Sequence, residues 1–227
     1  MTSTKTTPDG VLLLHGIARR ATSLGRMERA FGAAGYRTLN IDYPARTAAI
    51  QDLIEGIVPS VSAFGREVAQ LHIVTHSMGG LLARGLIARH RPGRLGRVVM
   101  LGPPNLGSEI ADRLGGLWAY RRFFGPAGAQ LVTRQDETLL ALLGQVDYPL
   151  GIIAGDRSLT PLESWLKLLP KPHDGRVAVA RTRLGGMTDH VTLPATHALM
   201  MNHRLVIDEA LHFVRFGRFA RGTQSSR

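Results

Sequence analysis

The sequence predicts an α/β fold with a mainly parallel sheet of about six strands and helices on both faces. Short apolar runs alternate with stretches of helical spacing, which is typical of β–α–β units. The runs at Val11–His15 and Arg97–Leu101 are almost continuously apolar, as expected of parallel strands that are covered on both sides. A chain of 227 residues is also long enough to bury a sizeable core in one domain.

The predicted elements follow in order along the chain. Strands are expected at Val11–His15, Tyr36–Asp42, Leu71–Thr75, Arg97–Leu101, Leu150–Ala154 and Arg176–Arg181. Helices are expected at Thr22–Ala34, Ala48–Gln70, Met78–His90 and Arg204–Gly217. Pro59 is a point where the second helix can break. No repeat or low-complexity linker divides the chain, so residues 1–227 are expected to form a single domain.

The segment 105–148, between the fourth and fifth predicted strands, is long for a connection in a fold of this class. It holds several aromatic residues and a Leu-rich stretch, so we predict a packed helical insertion. One interpretation is a cap over a pocket, and the other is additional helix packed on the core.

Composition excludes several classes of protein. The chain has no cysteine, which excludes a disulfide framework, thiol catalysis and cysteine-ligated metal. Its N-terminus has no apolar stretch and no run is long enough to cross a membrane, so a cytoplasmic location is expected. No feature of the sequence indicates a cofactor.

The net charge of +11 arises almost entirely from arginine. Such a surface can attract nucleic acid or anionic lipid, but no nucleic-acid-binding motif accompanies it. We therefore expect an arginine-rich surface without a nucleic-acid partner. A weak association with an anionic membrane surface is the alternative for the basic, aromatic C-terminal segment that contains Phe213, Phe216 and Phe219.

The segment Leu71–Gly80 carries the strongest chemical signal. An apolar strand runs directly into a turn with Ser77 at its tip, as in a nucleophile elbow, where a strained turn exposes a serine hydroxyl. Ser77 is then the candidate nucleophile, and the Met78 N–H a donor to the oxyanion. Thr75 departs from the G-x-S-x-G pattern by replacing its first glycine. The alternative is an ordinary strand–turn–helix connection with a surface serine.

A reactive serine also needs a general base and a second oxyanion donor. The loop after the first strand supplies Ile17 as the candidate donor. His197 is the preferred base because it lies just before the last helix, which returns it to the carboxyl edge of the sheet. His190 and His203 are the alternatives, and a structural role is expected for His15.

Two aspartates are candidates for the residue that orients the base. Asp156 follows the strand Leu150–Ala154, and Asp174 directly precedes the predicted strand Arg176–Arg181. Both positions can reach the carboxyl edge of the sheet, and the residues alone leave the choice open.

Four blocks of sequence resemble the α/β-hydrolase superfamily, and within it the bacterial triacylglycerol lipases and small serine esterases. They are Leu14–Ile17, Thr75–Gly80, Leu101–Asp112 and Asp174–Val177. The resemblance implies a minimal α/β-hydrolase fold in which Ser77, Asp174 and His197 form the catalytic triad, so Asp174 is favoured over Asp156. Ala198 and Leu199 follow the histidine where the calcium-binding lipases have a ligating aspartate, so no metal is expected.

The resemblance implies a serine carboxylic-ester hydrolase that acts on a small-molecule or lipid ester through an acyl-enzyme. A thioesterase, an amidase or an acyltransferase would use the same triad. A hydrolase-fold protein that binds lipid or a partner without catalysis is the alternative from a different class.

Overall fold

The computed structural model describes residues 7–159 and 169–220, and within them six strands form one parallel sheet. The strands are β1 (Gly10–Leu14), β2 (Arg37–Ile41), β3 (Leu71–His76), β4 (Leu95–Leu101), β5 (Leu150–Arg157) and β6 (Asp189–Thr196). Their spatial order is β2-β1-β3-β4-β5-β6. This topology confirms the predicted α/β class and the predicted parallel sheet.

Helices cover both faces of the sheet. In the described part of the chain they are α1 (Gly25–Ala33), α2 (Ile50–Arg66), α3 (Gly79–His90), α4 (Glu109–Leu114), α5 (Trp118–Ala129), α6 (Glu137–Leu143), α7 (Val179–Thr182) and α8 (Arg204–Phe216). The side chains of β1 divide between the two faces, with Leu12 and Leu14 in the core beneath α2 and α3, and Val11 and Leu13 in the core beneath α1 and α8.

The prediction of a strand at Arg176–Arg181 is wrong. This segment forms a loop and the short helix α7, and the sixth strand is Asp189–Thr196 instead. The apolar residues Val177, Ala178 and Val179 are buried, so the pattern predicted burial correctly without specifying a strand. The true strand β6 lies at the sheet edge and buries only alternate residues, a weaker signal than a continuous apolar run.

β6 contains Pro194 at one of its exposed positions. Proline has no backbone N–H to donate, and within sheets it is confined mainly to edge strands. The neighbours Leu193 and Ala195 are buried in the core that α8 covers. The strand therefore presents one face to the core and one face to solvent.

The insertion between β4 and β5 consists of the helices α4, α5 and α6. α6 packs against α3 and buries Leu139 and Leu143 in the core that lies beneath α2 and α3. α5 is kinked at Gly125, whose φ is +65°. A side chain there would overlap the backbone of Arg46, so only glycine allows this contact. The last helix of the insertion, α6, thus adds apolar side chains to the core, whereas the middle helix, α5, packs against the segment that carries Arg46.

The C-terminal segment is largely part of the core. Phe213 and Phe219 are buried, whereas Phe216 is exposed. The predicted interfacial segment also included Arg221, which lies outside the described residues. Within the ranges 7–159 and 169–220, no helix is long and apolar enough to span a bilayer.

The predicted break at Pro59 does not occur, because α2 runs from Ile50 to Arg66 with this proline inside it. Pro59 is exposed, so water can satisfy the carbonyl of Glu55 that lacks its helical donor.

We expect Pro59→Ala to raise the free energy of unfolding by about 2 kcal/mol, because it restores a helical hydrogen bond and removes a ring clash. Urea denaturation followed by circular dichroism measures the change. Ser60→Ala, at the next exposed position of the same helix, is the matched control and should change the free energy by only a few tenths of a kcal/mol. An unchanged or lower midpoint for Pro59→Ala would contradict the expectation.

Candidate active site

Ser77 lies in the turn between the end of β3 and the start of α3. Its φ is +55°, in the left-handed region that non-glycine residues rarely adopt. The turn is anchored because the Ser77 N–H donates to the carbonyl of Leu101 at 2.8 Å. Strain of this kind is maintained only where the surrounding structure fixes the backbone, and it occurs often at functional sites.

Two glycines after Ser77 allow β3 and α3 to pack this closely. A Cβ on Gly79 would lie 2.4 Å from the carbonyl oxygen of Leu14, so the first turn of α3 touches the end of β1 directly. A Cβ on Gly80 would lie 3.4 Å from Oγ1 of the buried Thr75, which is an ordinary van der Waals distance. The threonine that replaces the usual glycine therefore packs beside the start of α3 without a close contact.

His197 follows the end of β6 and faces Ser77. Its Nε2 lies 3.0 Å from Ser77 Oγ, and its Nδ1 lies 2.7 Å from Oδ2 of Asp174. A carboxylate can only accept, so Nδ1 carries the proton in the neutral ring and Nε2 is free to accept from the serine hydroxyl. The structure thus brings together the three residues that the sequence predicted as a triad.

Asp174 is almost fully buried, with 1% of its side chain exposed. Its Oδ1 accepts the backbone N–H groups of Arg176 and Val177 at 2.9 and 2.8 Å, which leaves Oδ2 for His197. The backbone N–H of His197 also donates to the Asp174 carbonyl, at 2.9 Å. These bonds fix the carboxylate and the imidazole relative to each other.

Two further glycines leave room for this pair. A Cβ on Gly102 would lie 2.9 Å from Asp174 Oδ2 and 3.1 Å from His197 Nδ1. A Cβ on Gly155 would lie 2.9 Å from the Cβ of Asp174. No role was predicted for either glycine from the sequence, although both directly follow the apolar core of a strand and so lie at the carboxyl edge of the sheet.

The predicted oxyanion donors lie on two segments beside Ser77. A Cβ on Gly16 would lie 3.0 Å from the Ser77 Cβ, so the loop after β1 passes close to the serine. The N–H groups of Ile17 and Met78 have no hydrogen-bond acceptor among the described residues. Ala18, the next residue in this loop, has a φ of +54°.

His76 supports the histidine opposite the serine. Its Nε2 donates to the backbone carbonyl of His197 at 2.9 Å, and its ring lies 4.9 Å from the His197 ring. Burial lowers the pKa of His76 well below its usual value, so the ring is neutral and its proton lies on Nε2. The sequence placed His76 beside Ser77, but the hydrogen bond to a residue so distant in the chain could not be predicted from it.

The alternative bases lie elsewhere. His190 is in β6, where its Nε2 lies 3.0 Å from the hydroxyl of Thr182, and burial lowers its pKa to about 4. His203 precedes α8, and its side chain makes no capping hydrogen bond. His15 is buried and stacked on the ring of Tyr43, with 4.0 Å between centroids, in agreement with the structural role expected for it.

Asp156, the alternative acid, lies near the end of β5 and forms an ion pair with Arg157 at 3.6 Å. His197 bonds instead to Asp174. The structure thus favours the aspartate that the resemblance favoured, although Asp174 precedes a loop and a short helix rather than the predicted strand.

A cavity of about 290 Å³ opens above Ser77 and His197. Its apolar wall combines the loop after β1, the insertion and the loop after Asp174. Ser108 joins the last two, because its hydroxyl donates to the carbonyl of Arg176 at 2.9 Å. The larger apolar and aromatic lining residues are Ile17, Ile110, Tyr120, Phe123, Phe124 and Val177.

Several solved structures share this architecture, although no protein-family model matches the chain. The mature lipase BlEst2 of Bacillus licheniformis matches with a TM-score of 0.76 and 19% identity, over 94% of this chain and 95% of that one. The phospholipase PlaB of Legionella pneumophila matches with a TM-score of 0.68 and 15% identity, over 93% and 60%. The chain has the α/β-hydrolase fold.

A pyrethroid hydrolase from Sphingobium faniae shares the same α/β-hydrolase fold, with a TM-score of 0.57 and 14% identity, over 93% of this chain and 98% of that one. In this fold the nucleophile occupies the sharp turn between a strand and the following helix. Ser77 occupies that turn here, between β3 and α3. The arrangement places a serine, a histidine and a carboxylate within hydrogen-bond distance of one another in that order.

We expect Gly79→Ala to lower the free energy of unfolding by about 1–3 kcal/mol, because its methyl group would overlap the end of β1. Gly32→Ala is the matched control, since nothing lies within 4 Å of a Cβ at that helical position. It should stabilise the protein by about 0.5–1 kcal/mol. Thermal and urea denaturation of both variants provide the measurement, and equal effects at the two positions would refute the close packing of α3 on β1.

Proposed function

We propose that the protein is a serine carboxylic-ester hydrolase. The observation that carries this proposal is the continuous chain of contacts from Ser77 Oγ through the His197 ring to Asp174, at the floor of a largely apolar cavity. An isolated serine hydroxyl is a weak nucleophile, and an adjacent base that is oriented by a carboxylate activates it.

In the first step, Ser77 Oγ attacks the carbonyl carbon of the ester. The serine proton moves to Nε2 of His197, which becomes an imidazolium ion, and the carbonyl oxygen takes the negative charge. Asp174 does not take up the proton in this step, and its carboxylate stabilises the imidazolium by accepting a hydrogen bond from Nδ1–H. Because this carboxylate already accepts two backbone N–H groups, it is held in place before the reaction begins.

The N–H groups of Ile17 and Met78 are the proposed donors to the oxyanion. Their lack of another acceptor among the described residues supports this role. Removal of one such donor from a preorganised site typically costs about 3–4 kcal/mol of transition-state stabilisation. Each donor adjoins a residue with positive φ, because Ala18 follows Ile17 and Ser77 precedes Met78.

The tetrahedral intermediate collapses when the bond from carbon to the alcohol oxygen breaks. His197 delivers its proton to the departing alkoxide, which leaves as an alcohol, and the acyl group remains on Ser77. Water then attacks the acyl carbon with His197 again as the base, and the carboxylic acid is released with regeneration of the serine.

The cavity lining supports an ester with an apolar acyl group, because aromatic and aliphatic side chains form most of its wall. The comparison structures also include proteins named as a lipase, a phospholipase and a pyrethroid hydrolase. We therefore favour ester bonds over the thioester, amide and acyl-transfer reactions that the same triad can perform.

We expect Ser77→Ala to lower kcat for p-nitrophenyl butyrate by about 10⁴-fold or more, because it removes the nucleophile. Circular dichroism should show an unchanged fold. A fluorophosphonate probe should label the wild-type protein and leave the variant unlabelled. Ester hydrolysis retained at the wild-type rate in the variant would refute the proposed function.

Asp174→Asn should lower kcat by about 10³–10⁴-fold, because the amide no longer fixes the histidine tautomer. Asp156→Asn makes the same chemical change at the other candidate position and should lower kcat less than about twofold. The two variants are compared in the same p-nitrophenyl butyrate assay. A larger loss at Asp156 than at Asp174 would overturn the assignment of the acid.

A further inference from the structure

A second cavity adjoins the one above Ser77. Its volume is about 580 Å³, compared with about 290 Å³ for the cavity that contains the serine. Ala18 and Arg19 line both cavities, so the two share a wall formed by the loop after β1.

This second cavity is strongly basic. Four of its lining residues are arginines, and Asp42 is its one lining carboxylate. The Asp42 carboxylate is already engaged, because it accepts the Ala21 N–H at 3.0 Å and lies 3.3 Å from Nε2 of His15. We therefore find a surplus of positive charge that its own lining does not neutralise.

The cavity arginines lack the carboxylate partners that some other arginines in the described part of the chain have. Arg37, Arg91 and Arg181 each form an ion pair with a carboxylate at 2.7 Å. None of the four cavity arginines has such a partner among the described residues, and all four are exposed; they are Arg19, Arg20, Arg46 and Arg122.

Backbone contacts hold two of these arginines in position. Arg19 donates to the carbonyl of Ala198, at 3.0 Å, and Ala198 adjoins His197. Arg46 donates to the carbonyl of Phe123 and lies over its ring, with 4.5 Å from the guanidinium carbon to the ring centroid. Both contacts are to residues that line the Ser77 cavity. The charged and the reactive cavities are therefore held side by side.

We propose that the basic cavity binds a phosphate-type anion carried on the alcohol part of the ester substrate. This inference rests on the proposed ester hydrolysis at Ser77. The apolar wall takes the acyl chain, and the alcohol leaves toward the arginines. Hydrolysis breaks only the bond between the acyl carbon and the alcohol oxygen, so the phosphate group departs intact on the alcohol.

The number of arginines favours phosphate over a single carboxylate. Guanidinium groups bind phosphate oxygens in bidentate pairs, and phosphate offers more oxygens and more charge than a carboxylate. Four guanidinium groups around one cavity exceed what one carboxylate can satisfy. An anion held there also reduces the mutual repulsion of the four positive charges.

The test compares 1-butyrylglycerol 3-phosphate with neutral 1-butyrylglycerol as substrates. The wild-type protein should have the higher kcat/KM for the phosphate ester. In Arg20→Gln/Arg122→Gln, the ratio of the two kcat/KM values should fall about tenfold or more, because charge-assisted hydrogen bonds to the anion are lost. Arg29→Gln is the control, since Arg29 is exposed on α1 and lines neither cavity, and it should leave the ratio unchanged.

A second arm separates a substrate group from a free anion. Inorganic phosphate is titrated calorimetrically into full-length Ser77→Ala, with and without the Arg20→Gln/Arg122→Gln changes. Arginine-dependent phosphate binding without a preference for the phosphate ester would assign the cavity to free anion and overturn the substrate assignment. The site itself would be overturned if the Arg20→Gln/Arg122→Gln changes altered neither the ratio of the two kcat/KM values nor the binding of inorganic phosphate.

Failure of the proposed function has a different signature. In that case neither butyrylglycerol is hydrolysed and Ser77 is not labelled by a fluorophosphonate, while the calorimetric titration still reports whether the cavity binds phosphate.

Discussion

The packing of α3 against the end of β1 is the contact on which the rest of the site depends. Because Gly79 has no side chain, the first turn of α3 packs against the carbonyl group of Leu14 at the end of β1. β1 in turn pairs in parallel with β3 up to Thr75. This contact aligns the carboxyl ends of the two strands and holds the loop at Gly16 beside Ser77. The strained serine and the loop with the proposed oxyanion donor are therefore positioned by one interaction.

Parallel pairing carries the same alignment across the sheet. β4, β5 and β6 end at the same edge as β3, so residues far apart in sequence arrive above Ser77 together. The chain leaves space for them by omitting side chains, since Gly102 and Gly155 both border Asp174. Backbone hydrogen bonds then fix the carboxylate and the histidine relative to each other, so in the proposed mechanism little reorganisation accompanies proton transfer to His197.

The sequence predicted the parts of this structure that have strong local patterns. The four interior strands and the Ser77 turn were predicted because an apolar run followed by small residues leaves few alternatives, and the edge strand β2 was predicted as well. The edge strand β6 was missed because it alternates and contains Pro194, which weakens a strand signal. The choice between Asp156 and Asp174, and the bond from His76 to His197, depend on tertiary contacts. No local pattern encodes those contacts, so only the resemblance favoured Asp174.

Pro194 has a consequence for association between molecules. β6 is an edge of the sheet in the described part of the chain, and the loop with His197 follows it directly. Exposed edges invite pairing with a strand of another molecule. Pro194 has no N–H to donate, and the register between β5 and β6 shifts around it, from Gly155 opposite Leu193 to Arg157 opposite Thr196, so the edge is irregular just before the loop that carries His197. The residue thus discourages sheet extension where added backbone would obstruct the histidine.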